Sequence, residues 1–334
     1  MKSPIIRTVL PALLWQGISL TLFAQAQPFV FKFEAGHSLN YALQSDTEID
    51  METSIPGQTE AINMIMRIKM RYNIKLTSTG GVKNHVNTVS LEPSNIEVDW
   101  DIEAPTGNIV MNLRGADMTG TANGTAFIDT QQGIGVAEAN QIKGEIAGLY
   151  MAGEMDIDAT GKVAEMRGDS IFIKFWTTAL QSQIGFFGVI FPRHSVAPGE
   201  NWAETLTLKK LGDFHVNEPG MACTATFFRQ PDTTLAEHRL SRFNFEAPIS
   251  YKNLSGYINQ RGQRMQANFE SFERSASGAI NFDLEKGRLL ESNAMIAANA
   301  LLSMGSGGEA ATTDMTIGIT MNLRLLPNSA RVGQ

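Results

Sequence analysis

The sequence has little of what usually marks a catalytic or metal-binding protein. It contains one cysteine, Cys223, and five histidines spread over 334 residues. A single cysteine cannot form an intrachain disulfide, so packing must stabilise the fold. No histidine has a second histidine, a cysteine or a carboxylate at zinc-ligand spacing. The sequence therefore predicts no metal site, and it predicts a buried, unreactive thiol at Cys223.

The common catalytic motifs are missing as well. There is no G-x-S-x-G, no phosphate loop and no G-x-G-x-x-G that enters a helix. Asp156 and Asp158 lie on one strand face beside a turn, which does not define an acid/base pair. We therefore predict no catalytic residues and no cofactor, and we favour a protein that is not an enzyme. A hydrolase whose site is assembled from distant residues, around His194 or His215, is a third alternative.

Charge is sparse and predominantly negative. Charged residues make up 18% of the chain, and the formal net charge is −7. An acidic protein is poorly suited to bind nucleic acid or an anionic membrane surface, so no nucleic-acid partner is expected. No long uncharged apolar run follows the first 26 residues. On that ground the sequence predicts that the protein is not an integral membrane protein.

The first 26 residues have the pattern of a secretory signal peptide. Lys2 and Arg7 provide a positive start, a mostly apolar run covers 9–23, and Ala24-Gln25-Ala26 is an A-x-A cleavage site. We expect cleavage near Ala26, followed by export to the periplasm or the extracellular space.

Strand periodicity dominates the rest of the chain. In 63–76 every second residue is apolar and the gaps are mostly basic, whereas 96–103 has the same alternation with acidic gaps. Side chains alternate faces along a strand, so each segment predicts a strand with one apolar and one charged face. The basic and acidic rows are expected to pair across strands and to help fix register. The alternation returns in 315–325.

Three short segments have an Asp followed by a glycine at a turn: 128–134, 157–163 and 282–289. Aspartate favours turn entry by accepting hydrogen bonds from its own backbone, and glycine adopts a positive φ. Each segment therefore predicts a β-hairpin turn. A metal loop would need more ligands.

One segment has a clear helical period, with apolar residues at three- and four-residue steps after 169. Asp169 or Ser170 can cap the helix, and Pro192 prevents it from continuing. The predicted fold is mainly β, a large curved antiparallel sheet or two similar half-barrels wrapped around one principal α-helix. The predicted parts are a signal peptide (1–26), an N-terminal β half (27–168), the helix with an aromatic loop (169–192) and a C-terminal β half (193–334).

The predicted site is apolar. The chain has sixteen methionines, several of them on inward strand faces, and methionine suits irregular apolar ligands. Core packing is the simpler interpretation of these residues, but a groove between sheet and helix would use the same side chains. We predict a lipid or other apolar ligand there; the alternative is a structural or interaction protein of the bacterial envelope. The predicted lining residues are Phe172, Phe175, Trp176, Phe186, Phe187 and Trp202.

Short motifs resemble those of uncharacterised families of exported bacterial β-rich proteins. They are Phe31-x-Phe33-x-x-Gly36, Phe191-Pro192 with Val196-x-x-Gly199-x-x-Trp202, and Phe282-Asp283 with Gly287-Arg288. In architecture only, the predicted fold also resembles the lipoprotein-carrier (LolA-like) half-barrel, whose members hold acyl chains in an apolar concavity. That second resemblance implies a lipid-carrying role. Neither resemblance supplies catalytic residues.

Overall fold

The structure is a computed structural model that describes residues 29–83, 86–181, 189–211, 214–235, 238–260, 263–304 and 310–327. The fold is mainly β, as predicted. The strands are β1 (Ser38–Ser54), β2 (Ile62–Lys83), β3 (Val86–Ala104), β4 (Gly107–Arg114), β5 (Asp117–Ala122), β6 (Thr125–Asp129), β7 (Gly153–Asp158), β8 (Val163–Gly168), β9 (Asn201–Leu208), β10 (Lys210–Leu211), β11 (Phe214–Val216), β12 (Met221–Arg229), β13 (Thr233–Leu235), β14 (His238–Glu246), β15 (Ile249–Gln260), β16 (Gln263–Asp283), β17 (Arg288–Met304) and β18 (Ala311–Leu325). The helices are α1 (Val136–Glu145), a 3-10 turn (Ala147–Leu149) and α2 (Ser170–Gln181).

Six long strands form the centre of one antiparallel sheet, in the order β3–β2–β1–β18–β17–β16. The first and last strands among the described residues, β1 and β18, pair with each other from Tyr41 opposite Leu325 to Ser54 opposite Thr312. Strands of both predicted β halves therefore belong to one continuous sheet. The division into the four predicted parts stays a prediction.

The sheet forks at both ends of this centre. One part of β3 pairs with β7 and the other part with β4, and β16 is shared in the same way between β14 and β15. Further strands extend the branches as β4–β5–β6, β7–β8, β14–β12–β9 and β15–β11–β10, and β13 also pairs with β14. Across the described residues, no ladder closes the sheet into a ring.

The predicted charge rows pair across strands. In register, Arg67 lies opposite Asp101 and Lys75 lies opposite Glu92. Arg67 also makes ion pairs with Glu103 at 2.5 Å and Glu48 at 3.1 Å, and the Lys75–Glu92 pair is 3.1 Å long. Exposed pairs of this kind contribute little stability each, so their main effect is to favour one register over its neighbours.

The predicted strand at 96–103 is the second part of the longer strand β3. Residues 86–91 and 96–104 form the single strand β3, and a bulge between them shifts the register. Asn95 has a φ of 52° in this bulge. The bulge moves the inward positions from odd residues (Val89 and Leu91) to even ones (Ile96 and Val98), all of which are buried. In the sequence, too, the apolar residues change from odd to even numbers between 91 and 96.

The predicted Asp–Gly turns are confirmed as hairpin turns in two of the three segments. The Oδ1 atom of Asp158 accepts hydrogen bonds from the backbone amides of Thr160 and Lys162. Asp283 does the same for Glu285 and Lys286. The third segment, around Asp129, closes with an isolated bridge to Ile134 and leads into a helix.

The principal helix begins where predicted, since the backbone amide of Ile171 donates to Asp169 Oδ1 at 2.7 Å. The helix packs against the β7–β8 hairpin and the 3-10 turn. A Cβ atom at Gly153 on β7 would lie 2.3 Å from the ring of Phe172, so the helix rests directly on the strand backbone. Helix α1 was not predicted, because its sequence lacks a strong apolar stripe. Among the described residues, neither helix is long and apolar enough to cross a membrane.

The alternation of residues 29–34 is typical of a strand, but this segment, which precedes β1, forms no strand. The amide of Phe31 donates to the carbonyl of Ala159 at 2.9 Å, and the amide of Lys32 donates to the carbonyl of Gly287 at 2.8 Å. This segment therefore connects the β7–β8 turn to the β16–β17 turn, and its phenylalanines fill the space between them.

A partly buried ion-pair network stabilises the loop between β12 and β13. Asp232 accepts hydrogen bonds from Arg229 at 2.7 and 2.8 Å, from Arg239 at 2.7 Å and from Ser241. The Arg229 guanidinium also lies 4.7 Å from the centre of the Phe29 ring. Burial acts to raise the pKa of Asp232, but the hydrogen bonds from Arg229, Ser241 and Arg239 together outweigh it and lower this pKa.

We expect Asp232→Asn to destabilise the fold at pH 7 and to matter less in acid. The pKa of Asp232 in the folded state lies below its unfolded value of about 3.9, so its stabilising effect is complete above that value and is lost as the pH falls through the folded pKa. Urea unfolding midpoints of both proteins, measured from pH 7 downwards, should therefore converge. Asp314→Asn on the exposed part of β18 is the control. A gap between wild type and Asp232→Asn that stays constant with pH would contradict this account.

Candidate functional site

The aromatic residues predicted to line a ligand site fall into two separate groups. Phe172, Phe175 and Trp176 lie together on α2, with ring centres 6.3 Å (Phe172–Trp176) and 5.6 Å (Phe175–Trp176) apart. Phe172 is fully buried and Trp176 is 5% exposed. Phe175 is half-buried, close to Gly148 of the 3-10 turn. The helix aromatics thus attach α2 to the sheet. Phe186 and Phe187 lie outside the described residues.

Trp202 belongs to the second group, at the start of β9. Its ring stacks on Phe227 with centres 4.9 Å apart, and its Nε1 donates to the carbonyl of Ile190 at 3.0 Å. Phe191 lies 6.3 Å from Trp202 and 4.8 Å from Phe282. No ring contact in the described structure joins this group to the helix aromatics. A lining role for the six predicted residues stays a prediction.

The short motifs quoted from the sequence meet around Phe191. The Phe31 and Phe191 ring centres are 5.3 Å apart, and those of Phe31 and Phe282 are 5.2 Å apart. Aromatic pairs at these separations contribute beyond the area that they bury. The motif residues therefore form a packed cluster where the N-terminal segment, the loop before β9 and β16 converge. Their shared role is to hold these three parts together.

A half-exposed apolar surface is present on a different part of the sheet. Near the core, the inward residues of the long strands are buried: Tyr41, Ile74 and Leu76 are each 1–2% exposed. Further along the same faces the inward residues are only half-buried. We name these side chains the apolar patch; its members are Ile49, Met51, Met64, Met66, Ile102, Met315, Ile317 and Ile319.

Strand register makes the apolar patch continuous. Met66 lies opposite both Ile102 and Ile49, and Ile49 lies opposite Ile317. Met64, Met51 and Met315 form a neighbouring row in the same way. With strands about 4.8 Å apart, the patch spans about 15 Å across β3, β2, β1 and β18. An exposed apolar surface of this extent is typical of a binding site. The sequence identified several of these residues, but only register places them side by side.

Cavities lie on the opposite, polar face of the C-terminal strands. A groove of about 1210 Å³ is lined by residues of β14, β16, β17 and β18, and it adjoins a second groove of about 720 Å³ through Arg242 and Asn244. None of the six predicted aromatic residues lines either groove.

Cys223 and two of the histidines, the possible nucleophile and metal ligands, are buried, stacked on another ring or ion-paired. Cys223 is 4% exposed in β12, as predicted, and burial raises the pKa of its thiol. His215 stacks on Tyr257 with ring centres 4.6 Å apart, and His37 makes an exposed 2.8 Å pair with Glu34. His85 lies outside the described residues. Within the described ranges, no three His, Cys, Asp or Glu side chains are grouped to hold a metal.

No protein-family model and no curated protein sequence match the chain. Among solved structures, it is similar to the translocator domain of the autotransporter NalP from Neisseria meningitidis. The sequences are 8% identical, the TM-score is 0.21, and the match covers 93% of this chain and 94% of that one. An outer membrane channel from Pseudomonas putida F1 matches with 6% identity and a TM-score of 0.21, over 89% of this chain and 98% of that one.

These neighbours contradict the prediction that the protein is not an integral membrane protein, because they are themselves outer membrane proteins. The prediction depended on the absence of a long apolar run, which detects spanning helices only. Strands that face lipid alternate and give no such run. At these TM-scores the likeness carries no argument about ligand or activity.

We expect Trp202→Ala to lower the free energy of unfolding by about 3–5 kcal/mol, the usual cost of removing a buried tryptophan. Trp202→Phe should retain most of the packing but leave the Ile190 carbonyl without its donor, at a cost of about 1–3 kcal/mol. Denaturant unfolding checks both values. The control is Trp100→Ala on β3, where the ring is half-exposed. Equal losses for Trp202→Ala and Trp100→Ala would show that Trp202 is not a core residue.

Proposed function

We propose that the protein is an exported β-rich protein of the bacterial envelope that binds a lipid or another apolar ligand on the apolar patch. The observation that carries this proposal is a difference in burial between the two ends of the same strands. The same inward face is a packed core at one end, around Tyr41 and Ile74, and a half-exposed surface at the other, around Ile49 and Met66. The strands thus extend beyond the core that they cover.

The composition of the apolar patch suits an acyl chain. Four of its eight members are methionines, whose unbranched and polarizable side chains adapt to irregular apolar surfaces. Its span of about 15 Å is close to the length of one acyl chain, which fills half of a hydrocarbon core about 30 Å thick. The opposite faces of β1, β2 and β3 are charged and ion-paired. An apolar ligand is therefore expected on one face only.

The proposed ligand site lies on the sheet, whereas the sequence predicted a site between the sheet and the helix. The helix aromatics Phe172 and Trp176 are buried against the β7–β8 hairpin and the 3-10 turn, whereas the residues of the apolar patch retain exposed surface. The interaction hypothesis based on the charged rows has less support, because two of the cations in those rows, Arg67 and Lys75, already have carboxylate partners on neighbouring strands.

We expect Ile317→Glu to weaken the binding of a fluorescent fatty acid by at least about tenfold, since a carboxylate placed against an apolar chain loses hydration without gaining a partner. Thr316→Glu is the matched control: the residue is next in sequence, exposed, and on the opposite face of β18. Titration of the fatty acid gives both affinities, and urea midpoints show whether each variant is folded. Equal affinities for the two variants would contradict a site on the apolar patch.

A second measurement tests the ligand directly. Mass spectrometry of organic extracts of the wild type and of Ile317→Glu, purified from the envelope in the same way, should show a stoichiometric lipid in the wild type and less of it in the variant. A protein that yields no lipid and takes up no fatty acid would refute the proposed function.

A further inference from the structure

The groove of about 1210 Å³ on the polar face is built around a row of side chains that crosses four strands. In register, Arg242 on β14 lies opposite Asn281, Asn281 lies opposite Glu291, and Glu291 lies opposite Arg324 on β18. With neighbouring strands about 4.8 Å apart, the two arginines stand about 14 Å from each other at the ends of this row. Lys286 and Arg288 line the same groove from the β16–β17 turn.

The cations of this groove are poorly compensated. Four basic side chains line it, and Glu291 is the one carboxylate among its described lining residues. Glu291 accepts a hydrogen bond from the Asn281 amide at 3.1 Å. Within the described structure, Arg242, Arg324 and Lys286 donate no side-chain hydrogen bond and make no ion pair. In a chain with a net charge of −7, such a concentration of positive charge creates a local field that attracts anions.

The turn that carries Lys286 and Arg288 is held in a fixed shape. Asp283 is 1% exposed, accepts hydrogen bonds from two backbone amides of the turn, and lies 3.7 Å from the Arg288 Nε. On the other side of the turn, Lys286 and Arg288 also line a smaller pocket of about 250 Å³, together with Lys32 and His37. Lys32 therefore continues the basic lining past the turn, toward the N-terminal segment, where the carboxylate of Glu34 also lines the pocket.

From this geometry we propose that the groove binds a phosphate-bearing anion. Guanidinium groups present paired donors that match phosphate oxygens, and Lys286 adds a point charge. The groove also has leucines on its walls, Leu240, Leu290 and Leu325, which can contact an apolar portion of the same ligand. A phosphorylated headgroup and a free phosphorylated compound share this chemistry.

The proposed anion site is independent of the apolar patch. Arg324 is exposed on the opposite face of β18 from Ile317 and Ile319, because side chains alternate along the strand. Loss of fatty-acid binding in Ile317→Glu therefore leaves the anion site intact, and the two proposals can fail separately.

The test is calorimetric titration of the full chain with inorganic pyrophosphate and, separately, co-sedimentation with phosphatidylglycerol or phosphatidylcholine vesicles. We expect the double variant R242A/R324A to weaken binding by at least about tenfold, since it removes two charge-assisted contacts. The control double variant R71A/R193A removes the same net charge from exposed residues that do not line the groove. It should bind like the wild type.

The outcomes separate the source of the ligand. Pyrophosphate binding without vesicle binding indicates that the ligand is a free phosphorylated compound. Binding to phosphatidylglycerol but not to phosphatidylcholine vesicles indicates a lipid headgroup. Either result supports the proposed anion site. A wild-type protein that binds neither probe overturns it. Equal losses in R242A/R324A and R71A/R193A also overturn it, because they show attraction to overall charge alone. The four arginines are exposed, and circular dichroism checks that both variants are folded.

Discussion

The fold depends on the pairing of β1 with β18, which joins the two ends of the described chain over fourteen residue pairs. Without this ladder, the strands connected through β1–β2–β3 and those connected through β16–β17–β18 would form two separate sheets. Contacts between residues this distant in sequence are slow to form, because loop closure has to precede any gain from pairing. The N-terminal segment adds a second connection, since its backbone bonds to both the β7–β8 turn and the β16–β17 turn. The packed phenylalanines around Phe191 lie where these connections meet.

Alternation along the long strands gives the joined sheet two chemically different faces. On one face, buried residues such as Ile74 and Leu76 continue into the half-exposed apolar patch. On the other face, β1, β2 and β3 carry ion-paired charges, whereas β14 and β18 carry Arg242 and Arg324, which have no ion pair among the described residues. The paired charges fix register, and the uncompensated ones remain available to an anion. The two proposed sites thus arise from one structural feature, the period of two residues along strands longer than the core requires.

Much of the fold could be predicted because its signals are local. Alternation in 63–76 and 315–325 identified β2 and β18, Asp158 and Asp283 identified their turns, and Asp169 identified the start of the principal helix. The errors also have local causes. Residues 29–34 alternate like a strand but bond to two turns, and α1 has too weak an apolar stripe to be recognised. The membrane prediction was wrong because a test for apolar runs cannot detect strands. Trp202 and the helix aromatics lie in separate groups, and their predicted lining role stays a prediction.

The sequence by itself determined which residues alternate, where the turns lie and which faces are apolar or charged, because each of these depends on neighbours within a few positions. Only the tertiary structure decided which strands are adjacent. Met66 meets Ile49 and Ile102, and Arg242 shares a row with Arg324, through ladders between strands far apart in the chain. The apolar patch and the basic groove are properties of that register. The apolar patch and the groove cannot be predicted from the periodicity of one segment. The pattern of a strand indicates which of its faces is apolar, but it does not indicate which strand pairs with it.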